Sequence, residues 1–180
     1  MSHAVSPKDQ SISTPAVGTL ASRRAAALAD RLEAGARSLT AFAMTLSDAE
    51  WQAAVPHDGR KVGVTVDHVA HVYPIEIQVA LTVASGEPVT GLTWANIHAL
   101  NAAHAKEQDG VTKEQAIDRL RRNSGAAAAA IRALSDADLD RAVSISLYED
   151  APLTCQFFLE DHAVRHSYHH LFLLRRTLKK

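Results

Sequence analysis

The sequence predicts an all-α protein built on four long helices, and two observations support this fold class. Hydrophobic residues make up 47 % of the 180-residue chain whereas aromatic residues make up only 5 %. The apolar side chains are therefore mostly Ala, Leu and Val, a composition that favours closely packed helices. Apolar residues also recur at helical spacing through four long stretches of the chain. The segment of about 25 residues between the second and third stretches permits a crossover connection.

The N-terminal part of the chain divides into a tail and the start of the helical domain. Residues 1–17 are rich in Ser, Pro, Lys and Gln without any period, which predicts a disordered tail followed by one domain over residues 18–180. The first helix runs from Leu20 to Ala43. A capping box at Ser47 and Glu50 opens a short helical turn, and residues 56–63 are predicted to form a loop.

The second helix is predicted to begin at Thr65, as its N-cap, and to end before Gly86. Pro74 falls inside it, and a proline there removes one backbone hydrogen bond. We expect a kink near Ala70 and His71 and a free carbonyl at the same place.

The remaining elements follow from capping signals and periodicity. Residues 92–104 are weakly helical, and a capping box at Thr112 opens a third long helix that continues to Leu134. Ser135 caps a short extension, and residues 143–153 alternate imperfectly, which indicates an extended loop or a short hairpin arm. The last helix begins after Thr154 and covers residues 154–176.

Several function classes are disfavoured by composition. A net charge of −1 provides no basic surface for a phosphate backbone, so we expect no nucleic-acid partner. No apolar run approaches the ~20 residues that span a bilayer, and no signal peptide is evident, so we expect a cytoplasmic protein without membrane contact. The single cysteine, Cys155, allows no internal disulfide, and we interpret it as a structural thiol.

The densest functional signal is a run of histidines in the last helix. His162, His166 and His170 follow one another at i,i+4 spacing, with His169 beside them, on a face that also carries Phe158 and Leu173. Two histidines at this spacing can ligate one metal ion. The alternative is a set of core histidines that are satisfied by hydrogen bonds.

A third ligand has to come from elsewhere in the fold. His71 in the second helix is the best candidate, with His68 one turn earlier as the reserve. Three neutral imidazoles would leave an open coordination position, which is typical of catalytic sites, and they suit zinc, nickel, iron or copper. The nearest carboxylates that could orient such rings are Asp67, Glu76, Glu160 and Asp161, whereas His3, His57 and His104 are interpreted as surface residues.

Two of these stretches resemble a known family. Residues 64–71 (Val-Thr-Val-Asp-His-Val-Ala-His) resemble the opening of the second helix in the DinB/YfiT-like superfamily, which includes the N-terminal domain of mycothiol-dependent maleylpyruvate isomerase. Residues 166–171 (His-Ser-Tyr-His-His-Leu) resemble its His-x-x-x-His-Leu segment in the last helix. The order of the helices also matches over most of the chain.

The resemblance implies a four-helix bundle with up-up-down-down connectivity, a homodimer, and a divalent metal ion (Zn, Ni or Fe) on His71, His166 and His170. It also implies a metal-dependent transfer or isomerisation on a small electrophilic substrate, with a low-molecular-weight thiol as co-substrate. Three departures from the family are Val64, where Trp is common, Phe172-Leu173, where Gly-Gln is common, and the additional histidines His68, His162 and His169, which could change the set of ligands. The rival hypothesis is a non-catalytic bundle that dimerises or binds a small ligand, and the apolar Phe172-Leu173 pair favours it.

Overall fold

Helices dominate the computed structural model, which describes residues 22–56 and 59–180. The helices are α1 (Arg23–Met44), α2 (Asp48–Gln52), α3 (Val62–Ser85), α4 (Trp94–Glu107), α5 (Lys113–Arg132), α6 (Asp136–Asp140), α7 (Cys155–Leu159) and α8 (Arg165–Leu178). The strands β1 (Ala142–Ile145) and β2 (Ala151–Thr154) pair as an antiparallel hairpin. The predicted all-α class and the hairpin arm are confirmed. The predicted tail, His3 and His57 lie outside the described residues.

Helix starts follow the capping signals of the sequence. Ser47 and Thr112 both accept from the backbone three residues later, and Glu50 and Gln115 return a bond to the cap, as a capping box requires. The Thr154 hydroxyl caps α7 by accepting from Phe157 N at 3.1 Å. These three predictions are confirmed, because capping depends on residues that are adjacent in sequence.

Helix α3 differs from the prediction at its start. It begins at Val62, three residues before the predicted cap, and Thr65 is buried in its first turn. Instead of capping, the Thr65 hydroxyl donates to the carbonyl of Lys61 at 3.1 Å, a bond to residue i−4 that Thr makes within helices. The predicted cap at Thr65 is therefore wrong.

The carbonyl that Pro74 frees within α3 has a defined partner. Pro74 cannot donate to the oxygen of Ala70, and that oxygen instead accepts from the side-chain amide of Asn123 on α5 at 2.8 Å. The helix continues through the proline to Ser85. The backbone hydrogen bond that Pro74 removes is thus replaced by a side-chain hydrogen bond between α3 and α5.

The C-terminal helix is interrupted by a π turn at Glu160–Val164, which joins α7 to α8. A π turn holds more residues than an α turn, so the residues before and after it are rotated relative to an uninterrupted helix. The prediction of one regular helix therefore fails at this point. The consequence is that His162 is rotated relative to His166 and His170, and its ring nitrogens do not join the group of nitrogens that these two residues form with His68.

The four longest helical segments enclose a common core. Helix α1 packs against α5 and α8, and α3 packs against α5 and the C-terminal helix. Buried apolar side chains from these segments form one continuous cluster. Across the described residues, no helix is long and apolar enough to cross a membrane.

Candidate metal centre

Three histidines converge between α3 and α8. His68, His166 and His170 each place one ring nitrogen within 4.8 Å of the others. The ring centroids are 5.2 Å apart for His68 and His166, 5.2 Å for His68 and His170, and 4.9 Å for His166 and His170. Helix α8 supplies two of the rings because residues four apart are neighbours on a helix surface. We call these three residues the histidine cluster.

The structure brings together two of the three predicted ligands, His166 and His170, and joins them to the reserve candidate His68. His71 lies outside the cluster. Three residues turn a helix by about 300°, so the side chains of His68 and His71 leave α3 about 60° apart, and only His68 is directed at α8. The ring of His71 stacks on His104 of α4, with centroids 4.3 Å apart, instead of facing α8.

Glu76 fixes the orientation of one ring in the cluster. Nδ1 of His166 donates to Oε1 of Glu76 at 2.7 Å, because a carboxylate can only accept. The neutral ring therefore carries its lone pair on Nε2, which lies 3.3 Å from Nε2 of His68. A carboxylate behind a histidine is the usual arrangement for a metal ligand, since it sets the tautomer and raises the basicity of the ring.

The geometry of the cluster fits a tetrahedral metal ion. Two nitrogens bound to zinc at the usual length, at a tetrahedral angle, lie about 3.3–3.4 Å apart. The Nε2 atoms of His68 and His166 are 3.3 Å apart. Three imidazoles would leave at least one position for a substrate or water.

Three buried polar atoms in and beside the cluster lack a hydrogen-bond partner among the described residues. Nδ1 of His68, Nδ1 of His170 and Oε2 of Glu76 are buried and have no hydrogen-bond partner within the described part of the chain. Burying an unpaired polar group costs about 1–3 kcal/mol, and more for a charged one. A divalent ion beside neutral rings would offset the buried negative charge of Glu76.

Two rings of the cluster, His68 and His170, are held in the neutral form that a metal requires. Burial, followed by the nearby His166 and Arg60, lowers the pKa of His68 to about 2. Burial and the neighbouring His166 also hold the pKa of His170 well below its ordinary value. Both rings can therefore present lone pairs near neutral pH without first losing a proton.

A second group of buried polar side chains, centred on Asp67, includes His104. The interpretation of His104 as a surface residue is therefore wrong. His104 is 4 % exposed, not a surface residue, and its Nε2 lies 3.0 Å from Oδ2 of Asp67. Arg119 of α5 donates to the same oxygen at 2.6 Å. Through Oδ2, Asp67 thus ties α4 and α5 to α3, and neither bond is to a ring of the cluster. No local sequence pattern indicates this contact, because the three partners lie on different helices.

His162 lies within the π turn and is not part of the cluster. Its Nε2 lies 2.8 Å from the hydroxyl of Tyr148, and that hydroxyl donates to Oδ2 of Asp161 at 2.5 Å. Since the hydroxyl proton goes to the carboxylate, Nε2 of His162 is the donor, and its Nδ1 lies bare 3.8 Å from Oε1 of Glu76. Burial lowers the pKa of His162, so the ring is neutral. The sequence does not predict Tyr148 as a site residue, because it lies between the two strands of the hairpin and outside the run of histidines in the sequence.

Two cavities open onto the cluster from different sides. The apolar cavity, of about 370 Å³, has His68, His166 and His170 in its lining and is walled mainly by aliphatic and aromatic side chains of α3, α4 and α7. The polar cavity, of about 720 Å³, is lined by residues such as Lys61 and Lys106 and shares Arg60, Asn101, His169 and His170 with the first. Phe172 is 58 % exposed and appears in the lining of neither cavity. Of the Phe172-Leu173 pair, only Leu173 therefore contributes to one of these cavities, the polar one.

Cys155 takes no part in the site. It is fully buried, its thiol donates to the carbonyl of Ala80 at 3.4 Å, and burial raises its pKa to about 11. The thiol stays protonated near neutral pH and is a poor nucleophile. The prediction that it is structural agrees with these contacts.

Taken together, the helices and the cluster define a class: a helical protein with a candidate three-histidine metal centre between two of its helices. The family model of the DinB superfamily matches residues 31–173. The chain therefore belongs to the DinB superfamily, as the two sequence stretches indicated. No functionally curated protein matches it.

Proposed function

We propose that the protein is a metal-dependent enzyme in which His68, His166 and His170 hold one divalent ion, with zinc, nickel or iron as the candidate metals. The observation that carries the proposal is the 3.3 Å separation of the Nε2 atoms of His68 and His166, with His170 within reach of the same point. A divalent ion at this place would lower the pKa of a bound water or thiol and make it nucleophilic near neutral pH.

The residues around the cluster have separate tasks in this proposal. Glu76 holds His166 in the tautomer that presents Nε2 and supplies negative charge behind the ring. His162 presents a bare Nδ1 at the wall of the apolar cavity, where it can accept a proton from a nucleophile. Asp161, through Tyr148, holds the His162 ring in place. The aliphatic walls keep water from a small electrophile that reacts there.

We infer further that α1, α3, α5 and the C-terminal helix form a four-helix bundle with up-up-down-down connectivity. The supporting observation is the pattern of packing, in which α1 and α3 each contact α5 and the C-terminal helix. In an up-up-down-down bundle the first two long helices lie diagonally opposite, and each packs on two antiparallel neighbours. The segment between α3 and α5, which contains α4, would then be a crossover.

Reconstitution with metal tests the enzymatic proposal. Metal-free protein would be loaded with Zn²⁺, Ni²⁺ or, without oxygen, Fe²⁺. It would then be assayed for transfer of 2-mercaptoethanol or cysteine to 4-nitrobenzyl chloride and for hydrolysis of 4-nitrophenyl acetate. We expect one of these metals to support turnover in the wild type and in His71→Gln, and the rate to fall to the metal-free background in His68→Gln.

The controls separate binding from chemistry. Circular dichroism shows whether each variant is folded, and elemental analysis gives its metal content. Wild-type protein that carries one ion per chain but gives no rate above the free ion in any of these reactions would count against this chemistry. It would then favour the rival, a ligand-binding scaffold.

A further inference from the structure

Three large apolar side chains are exposed around one concave surface. Trp94, Leu100 and Ile75 are 53 %, 41 % and 37 % exposed, and all three line the apolar cavity. Exposed apolar groups that gather around a cavity mark a binding surface more often than the same groups scattered singly. Covering them would release water at little cost, because the cavity is already formed.

Helix α4 covers the cavity with its N-terminal half. Trp94, Ile97 and Leu100 recur three residues apart on this half, and all line the cavity. Of the whole helix, His104 alone is buried, and its bond to Asp67 anchors the C-terminal half. On the half that faces the cavity, Ile97 packs against the core, whereas Trp94 and Leu100 remain exposed and could be covered by the body of a ligand.

The charges around the cavity distinguish two parts of its wall. The acidic groups of the wall are engaged, Glu76 by His166 and Asp161 by Tyr148 and Arg165. Arg60 lines the cavity on the side of the histidine cluster, close enough that its charge acts on both His68 and His170. A divalent ion at the histidine cluster would make that part of the wall positive, whereas Trp94, Ile97 and Leu100 make another part apolar.

We propose that the apolar cavity binds a small molecule with an apolar, ring-sized body and one anionic head group, with the body against Trp94 and Leu100 and the head at the histidine cluster. The volume of about 370 Å³ lies at the small end of ligand sites. The position of the anionic head group rests on the proposed metal centre, whereas the position of the apolar body does not. It narrows the substrate to amphipathic anions such as aryl or alkyl carboxylates.

Fluorescence of Trp94 tests this proposal directly. Zinc-loaded and metal-free proteins would be titrated with 4-phenylbutyrate, with its neutral analogue 4-phenylbutan-1-ol, and with its cationic analogue 4-phenylbutylamine. We expect a saturable change in emission with 4-phenylbutyrate that Trp94→Phe removes, since Trp51 is buried away from this cavity. In the zinc-loaded protein the carboxylate should bind at least about tenfold more tightly than the amine.

A matched pair of variants tests whether the apolar body of the ligand binds against Leu100. Leu100 and Leu81 are similarly exposed, at 41 % and 38 %, but only Leu100 lines the cavity. Leu100→Ser should weaken 4-phenylbutyrate about tenfold, because it removes one apolar contact. Leu81→Ser should leave the affinity unchanged.

The outcomes separate this inference from the proposed function. Zinc-loaded protein that binds none of the three probes, or all three equally, overturns the inference and leaves the metal centre standing. Protein that takes up no zinc overturns the metal centre. In that case, saturable quenching by 4-phenylbutan-1-ol still supports the apolar body site, and its absence overturns that too.

Discussion

At the scale of single residues, Glu76 contacts the histidine cluster directly without being one of its members. Its Oε1 accepts from Nδ1 of His166 at 2.7 Å, and the carboxylate is 7 % exposed. Glu76→Gln keeps an acceptor but removes the negative charge. We expect zinc affinity to fall about 10–100-fold, as it does when the carboxylate behind a metal-bound histidine is lost. Competition with a chromogenic chelator measures this.

The matched control for this variant is Asp161→Asn. Asp161 lines the same cavity, but it accepts from Tyr148 and contacts no ring of the cluster. Its substitution should change zinc affinity by less than about threefold. Equal losses in the two variants would mean that Glu76 acts only through the general field of the cavity.

The site was predictable from sequence in part. The i,i+4 pair His166 and His170 could be predicted because it depends on local helix geometry alone. The choice between His68 and His71 depends on which side of α3 meets α8, and a single sequence does not show this. One signal was available: at 100° per residue, Glu76 lies about 80° around the helix from His68 but about 140° from His71. A ligand that has to lie on the same side of α3 as Glu76 is therefore better placed at His68 than at His71.

At the level of elements, the entry into α3 depends on a glycine. A side chain at Gly63 would place its Cβ 2.3 Å from the indole of Trp51, whose Nε1 donates to the carbonyl of Val111 at 3.0 Å. Gly63→Ala must therefore displace a fully packed ring. We expect destabilisation of about 1–3 kcal/mol or more, measured by urea unfolding.

A second glycine provides the control. Gly125 lies within α5, is exposed, and has open space where a Cβ would stand. Gly125→Ala should raise the free energy of unfolding by about 0.5–1 kcal/mol, because alanine loses less conformational freedom in a helix. Similar destabilisation by both substitutions would show that the contact with Trp51 is not the cause.

Element boundaries were predictable wherever a local signal decides them. The capping boxes at Ser47 and Thr112 and the hairpin arm depend on neighbouring residues, and all were predicted. The start of α3 and the π turn at Glu160–Val164 were not. Both depend on tertiary packing, since Thr65 could serve either as a cap or inside a helix, and an extra residue in a turn leaves no periodicity signal over five residues.

For the whole molecule, the buried histidines make stability depend on pH. The folded-state pKa values of His68, His170, His162 and His71 lie below the ordinary value of 6.5 because the rings are buried. Below pH 6.5 the unfolded chain therefore binds protons that the folded chain does not bind. The free energy of unfolding consequently decreases as the pH is lowered. Two rings that stay neutral in the folded chain, such as those of His68 and His170, would together cost about 3 kcal/mol between pH 6.5 and 5.

Thermal unfolding of metal-free protein between pH 7 and 5 checks this prediction. The melting temperature should fall steadily across the range, and calorimetry at pH 5.5 in buffers of different ionisation enthalpy should show uptake of about two protons or more on unfolding. Carboxylates with lowered pKa, such as Asp138, act in a lower window, near or below their ordinary pKa of 3.8. A melting temperature that stays constant to pH 5 would contradict burial of the histidines.

The measurement that tests the account most directly is zinc binding to metal-free protein by isothermal titration calorimetry, with His68→Gln and His71→Gln compared side by side. Both residues lie on α3, three positions apart, but only His68 faces His166 and His170. We predict one zinc per chain in the wild type, affinity within about threefold of it in His71→Gln, and a loss of about 100-fold or more in His68→Gln. Zinc binding that survives in His68→Gln and is lost in His71→Gln, or that is absent from the wild type, would contradict the assignment.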